Sequence, residues 1–179
     1  MAYTRVDRFT VVKGCSVYAF DDNGNIGSRP VIDDAEVTLP SISHPTYSMN
    51  SMGTMDVVDQ TRLDAMTCTI SHDLGINTEQ ANSLIRGGVI SCQICWAQEV
   101  RQANGLFTLQ GFTAMVTGMV QSHGGNSLNI GDNPASDLTI QCYAYHLMQG
   151  EQTLIDVSQL TGKLVINGQD LREGINRLL

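Results

Sequence analysis

The sequence predicts a mainly β fold, an antiparallel β-barrel or sandwich with one short flanking α-helix and a short C-terminal helical turn. Apolar and polar residues alternate with a period of two along most of the 179 residues, the pattern of half-buried strands. Asn104-Gly105 lies between two long β-rich runs, which predicts a long hairpin over residues 88–121. Because no repeat or low-complexity linker marks a boundary, we expect one domain over residues 1–179.

The first third of the chain predicts three strands and two irregular segments. The strands are expected at Arg8–Val12, Cys15–Phe20 and Ala35–Leu39. Residues 20–34 are rich in turn-forming residues and predict a loop. Residues 42–60 carry Pro45 and Gly53 among Ser, Thr and Met, and predict a long loop or an exposed hairpin. Loops of this length in a compact domain are usually functional or ordered by partners.

A strand over Leu63–Ile70 precedes the main predicted helix, at about residues 78–86. Asn77 is a candidate N-cap with Gln80 three residues on, and Gly87-Gly88 ends the element. The apolar stripe of this helix consists of Ala81, Leu84 and Ile85.

The predicted hairpin has an apolar first strand and a second strand that is apolar on both faces. One face of the first strand carries Ile90, Cys92, Ile94, Trp96 and Val100. In the second strand, Phe107, Leu109, Met115 and Met119 share one face, and Leu106, Phe112, Ala114, Val116 and Val120 share the other. Residues 102–131 contain no charged side chain. Two explanations fit this long uncharged strand. It is either buried against neighbouring subunits or an ordinary central strand with a bulge at Gly111 or Gly118.

The remainder of the chain predicts a loop over residues 124–134 and two further strands, at 137–148 and 154–157. Asp170 and Glu173 form a capping pair for a terminal helical turn.

Composition restricts the function classes. Only 16% of residues are charged, against about 25% in typical domains, and the lysines are Lys13 and Lys163 alone. This indicates either an assembly subunit with covered surfaces or a monomer with an uncharged polar surface. The net charge of −8 argues against a protein that grips nucleic-acid phosphates. No apolar stretch is long enough to predict a membrane span, and five cysteines, an odd number, favour reduced thiols.

The sequence predicts no catalytic, cofactor-binding or metal site. Cys92 and Cys95 form a C-x-x-C motif, but on a strand residues i and i+3 point to opposite faces, so the two thiols cannot chelate one metal. The histidines are scattered, and no G-x-S-x-G motif accompanies them: His44, His72, His123 and His146. The acidic pairs Asp21-Asp22 and Asp33-Asp34, with Glu36 nearby, lack the distal glutamate of a calcium loop and are interpreted as solvated turns.

The order of several short motifs resembles the major tail tube proteins of contractile phage tails. The segment EVTLPSI at 36–42 is similar to a strand end near the start of that family, and SMGTMDVVDQTRLDAMTCTIS at 51–71 follows at a similar spacing. Near the C-terminus, Ile155-Asp156 precedes an apolar-Asn-Gly-X-Asp segment at 165–171 and the final REGINRLL. Residues 20–34 depart from the family as an insertion, and residues 88–131 match in type rather than in letters.

The resemblance implies a non-enzymatic structural subunit. Six copies would form a ring, their strands would join a continuous inner β-barrel with the 88–121 hairpin in its wall, and rings would stack into a tube. The implied partners are the tail sheath, tape measure, baseplate and tail terminator proteins, and phage DNA that passes through the lumen without specific binding. The implied location is the virion, with the host cytoplasm during assembly. An acidic lumen would repel DNA, provided that the excess acids face inward.

Three alternatives stay open from the sequence. Tubes of headless contractile injection systems, R-type bacteriocins and type VI secretion share the fold class. A monomeric β-sandwich would use the 42–60 loop to bind a ligand. An enzyme would depend on Cys92 and Cys95 or on His72.

Overall fold

The structure, a computed structural model, describes residues 9–20, 24–50, 53–59, 62–72, 89–101, 106–124, 130–131, 135–173 and 177. Within these ranges the chain forms eleven β-strands. They are β1 (Phe9–Ala19), β2 (Glu36–Thr38), β3 (Thr46–Asn50), β4 (Thr54–Val58), β5 (Met66–His72), β6 (Val89–Arg101), β7 (Phe107–His123), β8 (Ser136–Gln149), β9 (Gln152–Ser158), β10 (Lys163–Ile166) and β11 (Gln169–Asp170). The prediction of a mainly β fold is confirmed.

Nine of the strands form one antiparallel sheet, in the order β1-β6-β7-β8-β9-β10-β11, with β5 and β2 branching from β8. The branch arises because β8 is long. One edge of β8 pairs with β7, while its other edge pairs first with β5, over 136–142, and then with β9, over 144–149. The remaining strands, β3 and β4, form a separate two-stranded hairpin.

The hydrophobic core lies on one face of the large sheet. Val17 from β1, Ile94 from β6, Ile70 from β5 and Leu164 from β10 are all buried in a single cluster. Ile32, which bridges to Val17 beside β1, belongs to the same cluster. Alternate residues of the longer strands therefore supply the core, as the period-two pattern predicts.

The predicted hairpin over 88–121 is confirmed as β6 and β7, which pair without a register shift from Val89↔Met119 to Arg101↔Phe107. Its face assignment is also correct, because Ile90, Cys92 and Ile94 are buried on the core side. Neither of the glycines named as candidate bulges interrupts this pairing. On the other side of β7, however, the register with β8 shifts between Thr117 and Gly118.

Other expectations need correction. The sheet does not close into a barrel, since its terminal strands β1 and β11 do not pair with each other, and the arrangement is the sandwich-like one. The two strands expected at Arg8–Val12 and Cys15–Phe20 are one strand, β1, because a bulge between Val12 and Gly14 absorbs the break in alternation. Strands β10 and β11 were not expected as strands. For residues 42–60, where a long loop or an exposed hairpin was predicted, the structure shows the hairpin, formed by β3 and β4.

The helical turn predicted at the C-terminus lies largely outside the described residues, which here are those up to Glu173 and Arg177. Arg172 donates its backbone N–H to Asp170 Oδ1 at 2.8 Å, the bond of an N-cap, and Arg177 N–H donates to the Glu173 carbonyl at 3.1 Å. The helix predicted at 78–86 lies outside the described residues. Across the described ranges, no helix has the length and apolar character required to cross a membrane.

Gly118 generates a test of the packing between β7 and β8. A Cβ at this position would lie 2.2 Å from the Gln141 carbonyl oxygen and 2.8 Å from Ile140 Cγ2. We expect Gly118→Ala to lower the free energy of unfolding by about 1–3 kcal/mol, because backbone atoms must move to admit the methyl group. The measurement is urea unfolding of the dissociated protein.

Gly111 in the same strand is the matched control, since a Cβ there meets nothing within 4 Å. Gly111→Ala should change the free energy of unfolding by no more than about 0.5 kcal/mol. Equal effects of the two substitutions would contradict the close approach of β8 at Gly118.

Candidate assembly surface

The large sheet has a second face that the core does not cover. We call it the open face. On each strand, the residues of the open face alternate with those that point into the core. The centre of the open face consists of Ser16, Gln93, Cys95, Thr113, Met115, Thr117 and Met148. All of these side chains are half-buried. Hydroxyl, amide, thiol and thioether groups thus cover the middle of the open face, without a fixed charge.

Two clusters of paired charged groups lie at the margins of the open face. At one margin the buried Glu99 contacts Lys13, with 3.2 Å between Nζ and Oε2, and also Arg101. The hydrogen bond from Arg101 lowers the pKa of Glu99, and the contact with Lys13 adds to this against the opposing effect of burial. A buried, doubly paired glutamate holds the ends of β1 and β6 together on this face.

At the other margin, Asp156 on β9 lies between Lys163 and His146. Its Oδ1 atom is 3.5 Å from His146 Nδ1, and its Oδ2 atom contacts Lys163 Nζ. Burial opposes the ionisation of Asp156, but hydrogen bonds from Lys163 and His146 outweigh it, so its pKa lies below the ordinary value.

The sheet narrows to three strands at one end, which we call the three-stranded end: residues 9–14 of β1, 97–101 of β6 and 107–111 of β7. It extends past β8, whose last pair with β7 joins Gln149 to Phe112. The segment beside β1 stops at Cys15, whose carbonyl accepts from Ala35 N–H at 3.0 Å. Among the described residues, no strand pairs with either outer edge of this end.

The outer edge of β7 directs backbone hydrogen-bonding groups away from the molecule. The Gly111 carbonyl accepts from Gly150 N–H at 3.3 Å, on the side opposite β6. Because backbone groups alternate in direction along a strand, Leu109 and Phe107 direct their N–H and C=O groups to the same outer side. Their side chains are 63% and 65% exposed. Exposed apolar residues on a bare edge are the features of a site for strand pairing with another chain.

The β3–β4 hairpin is a second uncovered surface. Its register pairs Tyr47 with Val57 and Met49 with Met55, so these four side chains share one face, which we call the apolar ribbon. Three of the four are exposed, and Val57 is half-buried. Since a two-stranded hairpin alone is marginally stable in water, the ribbon is suited to a partner surface.

The cysteines and histidines singled out in the sequence do not converge. Cys92 is buried in the core and Cys95 lies half-buried on the open face, so the two point to opposite sides as predicted. Burial raises the pKa of Cys92 to about 12 and that of Cys142 to about 11. His44 contacts the Arg62 carbonyl and His123 that of Gly124. Over the residues described, no cluster of three His, Cys, Asp or Glu side chains is arranged to hold a metal.

Sequence reasoning missed two features of this surface. The apolar ribbon had a detectable signal, because Tyr47/Met49 and Met55/Val57 each alternate with polar residues around Gly53. The burial of Glu99 had no local signal. Its principal partner on β1, Lys13, is distant in sequence and is placed there only by the pairing of β1 with β6.

A family model described as phage tail tube protein FII matches residues 12–179 of the chain. No curated protein matches this chain. Among solved structures, a chain of the cryo-EM structure of the anti-feeding prophage (AFP) baseplate, 6-fold symmetrised, is 12% identical with a TM-score of 0.39, covering 79% of this chain and 96% of that one. That likeness is too distant to support an argument. The family match, which extends over almost the whole chain, is decisive: this protein belongs to the phage tail tube protein FII family and is a structural tail-tube protein.

Proposed function

We propose that the chain is the major subunit of the inner tube of a contractile phage tail, assembling as stacked hexameric rings that form the conduit for DNA ejection. The observation that carries this proposal is the three-stranded end, whose two outer edges pair with no other strand among the described residues. A subunit with two complementary bare edges on opposite sides is suited to head-to-tail association.

Strand direction supports a ring rather than a two-fold dimer. Strands β1 and β7 both run antiparallel to β6, and so run parallel to each other. Rotation by one-sixth of a turn cannot reverse a strand, so β7 of one copy would meet β1 of the next in parallel. Closing the ring in this way removes every bare edge of the three-stranded end. A two-fold dimer would pair β1 with β1 or β7 with β7, and would leave the other edge bare.

The apolar ribbon supplies a contact between rings in this account. It projects from the body on a hairpin that is separate from the large sheet, and it presents Tyr47, Met49 and Met55 to solvent. Docking on a neighbouring ring would remove this apolar surface from water.

The open face supplies the inner wall. Its central groups are uncharged, and the cations at its margins are engaged by Glu99 and Asp156. Such a wall offers no surplus positive charge to DNA phosphates, which suits passage without specific binding. The tape measure protein would occupy the same lumen during assembly in the host cytoplasm. Sheath, baseplate and tail terminator proteins would contact the outside and the ends of the tube in the virion.

Electron microscopy tests the proposal directly. Purified protein imaged in negative stain should form tubes with a central channel. Leu109→Lys should leave only monomers, because a lysine on a bare edge opposes strand pairing. The control is Leu160→Lys, which places the same charge on an exposed turn between β9 and β10 and should leave the tubes intact. Tubes from Leu109→Lys at the wild-type protein concentration would contradict edge pairing, and a wild-type protein that stays monomeric would contradict the function.

The ribbon generates a separate prediction. Met49→Asp should allow rings but prevent tubes, because a carboxylate would enter the apolar contact between rings. Asn50→Asp adds the same charge on the polar face of the same strand and should still give tubes. The two variants are distinguished by the ratio of rings to tubes in micrographs. Normal tubes from Met49→Asp would show that the ribbon lies outside the stacking contact.

A further inference from the structure

Along its bare part, β1 directs the backbone groups of Thr10 and Val12 away from the sheet. On β6, the Ser91 carbonyl accepts a hydrogen bond at 3.3 Å from the chain just beyond the end of β1. Backbone groups alternate in direction along a strand, so Glu99 also directs its groups toward β1, where it is paired with Val11. Val11 is therefore turned toward β6, and the residues on either side of it are turned outward.

The two bare edges carry their outward backbone groups on residues of opposite faces. Val12 lies on the core face, where it lines an apolar groove together with the buried Ile94, and Thr10 shares that face by alternation. Leu109 lies on the open face, because its partner across the β6–β7 hairpin is Glu99. Outward groups thus belong to core-face residues on β1 and to open-face residues on β7.

Parallel pairing requires this difference between the edges. In a parallel pair, a residue that bonds across the gap does so to the residues before and after the one opposite it, and opposite residues have side chains on the same face. With β7 of one copy beside β1 of the next, Leu109 can therefore bond to Thr10 and Val12. Its side chain then lies beside that of Val11, and the open face continues from one copy to the next. The edges are complementary in the orientation that a ring imposes.

Both edges become covered at the same level of the sheet, which favours one register. Gly111 and Gly14 are level with each other, because both are paired with Ala97. The turn at Gly150 engages β7 from Gly111 onward, and the segment before β2 engages β1 just beyond Gly14. The bare parts, which precede these glycines on both strands, overlap completely only when they pair without a shift. The smallest slip that keeps the faces matched is two residues, and it would place two residues of one edge against the segment that covers the other.

We propose that the bare part of β7 in one copy pairs in parallel with the bare part of β1 in the next in this unshifted register, with Leu109 opposite Val11, an inference that rests on the proposed function. The Leu109 N–H then donates to the Thr10 carbonyl, and the Leu109 carbonyl accepts from the Val12 N–H. In the single copy Leu109 is 63% exposed and Val11 is half-buried. Their contact therefore removes apolar surface from water at each junction of the ring.

Cross-linking of the double variant Leu109→Cys/Val11→Cys tests the register. Opposite residues on adjacent strands lie about 4.8 Å apart, within the range of about 4.4–6.8 Å that a disulfide spans between Cα atoms. Within one copy β6 separates the two residues, and two strand spacings, about 9.6 Å, are too long for a disulfide. Under copper–phenanthroline and oxygen, the two thiols should lose two electrons and two protons to the oxidant and form an intersubunit disulfide. Assembled protein should then give a ladder on a non-reducing denaturing gel, and dissociated protein should not.

Matched variants identify the register. Leu109→Cys/Val12→Cys places one thiol on the opposite face and should give no ladder. Phe107→Cys/Val11→Cys would be cross-linked only after a slip of two residues and should also give none. The single variants Leu109→Cys and Val11→Cys control for the five native cysteines, and neither should form a ladder.

The outcomes separate the register from the function. A ladder from Phe107→Cys/Val11→Cys alone, or tubes of Leu109→Cys/Val11→Cys that give no ladder after oxidation, overturns the register while the tube function stands. If Leu109→Cys/Val11→Cys forms no tubes, Phe107→Cys/Phe9→Cys, the next opposite pair in the same register, takes its place with the same two outcomes. A wild-type protein that never assembles overturns both.

Discussion

The need of every strand edge for hydrogen-bond partners is the constraint on which the rest of this structure depends. Within one copy, β8 satisfies it on both sides by pairing with β7 and with β5 and β9 in succession. At the three-stranded end the described part of the chain supplies no further strand. A monomer would carry those edges, and the apolar side chains of Phe107 and Leu109, as a liability. In the proposed ring, each of these edges would pair with its complement on the neighbouring copy.

The same constraint accounts for the composition. Neighbouring copies that cover a subunit exclude water from its surface. Unpaired charges there would be destabilising, because their desolvation free energy exceeds the free energy gained from the contact. Accordingly, the centre of the open face carries uncharged side chains, and Glu99 and Asp156 at its margins are each paired with cations. In the proposed assembly, the low charged fraction of 16% reflects how much of the surface neighbouring copies would cover.

Much of this fold could be predicted from the sequence, for local reasons. The Asn104-Gly105 pair and the alternation around it define β6, β7 and their two faces, because turn chemistry and period-two burial act over a few residues. The bulge in β1 could not be predicted, because it is defined by the pairing of β1 with β6, the same long-range pairing that brings Lys13 to Glu99. The bare edges could not be predicted from the sequence either, because whether a strand edge is unpaired depends on the order of all the strands in the sheet. An apolar groove beside β1 is lined by Trp96 of β6 and Val37 of β2. It could not be predicted, because only the tertiary fold brings these two residues together.

Hydrogen exchange of the backbone amides, compared between dissociated and assembled protein, tests the central claim most directly. Edge pairing predicts that the outward-pointing amides of Phe107 and Leu109, and those amides of residues 10–13 that point away from β6, gain protection together on assembly, while those of the exposed turn at 159–162 do not change. Assembled tubes in which both edge segments exchange as fast as in the free subunit would contradict the account.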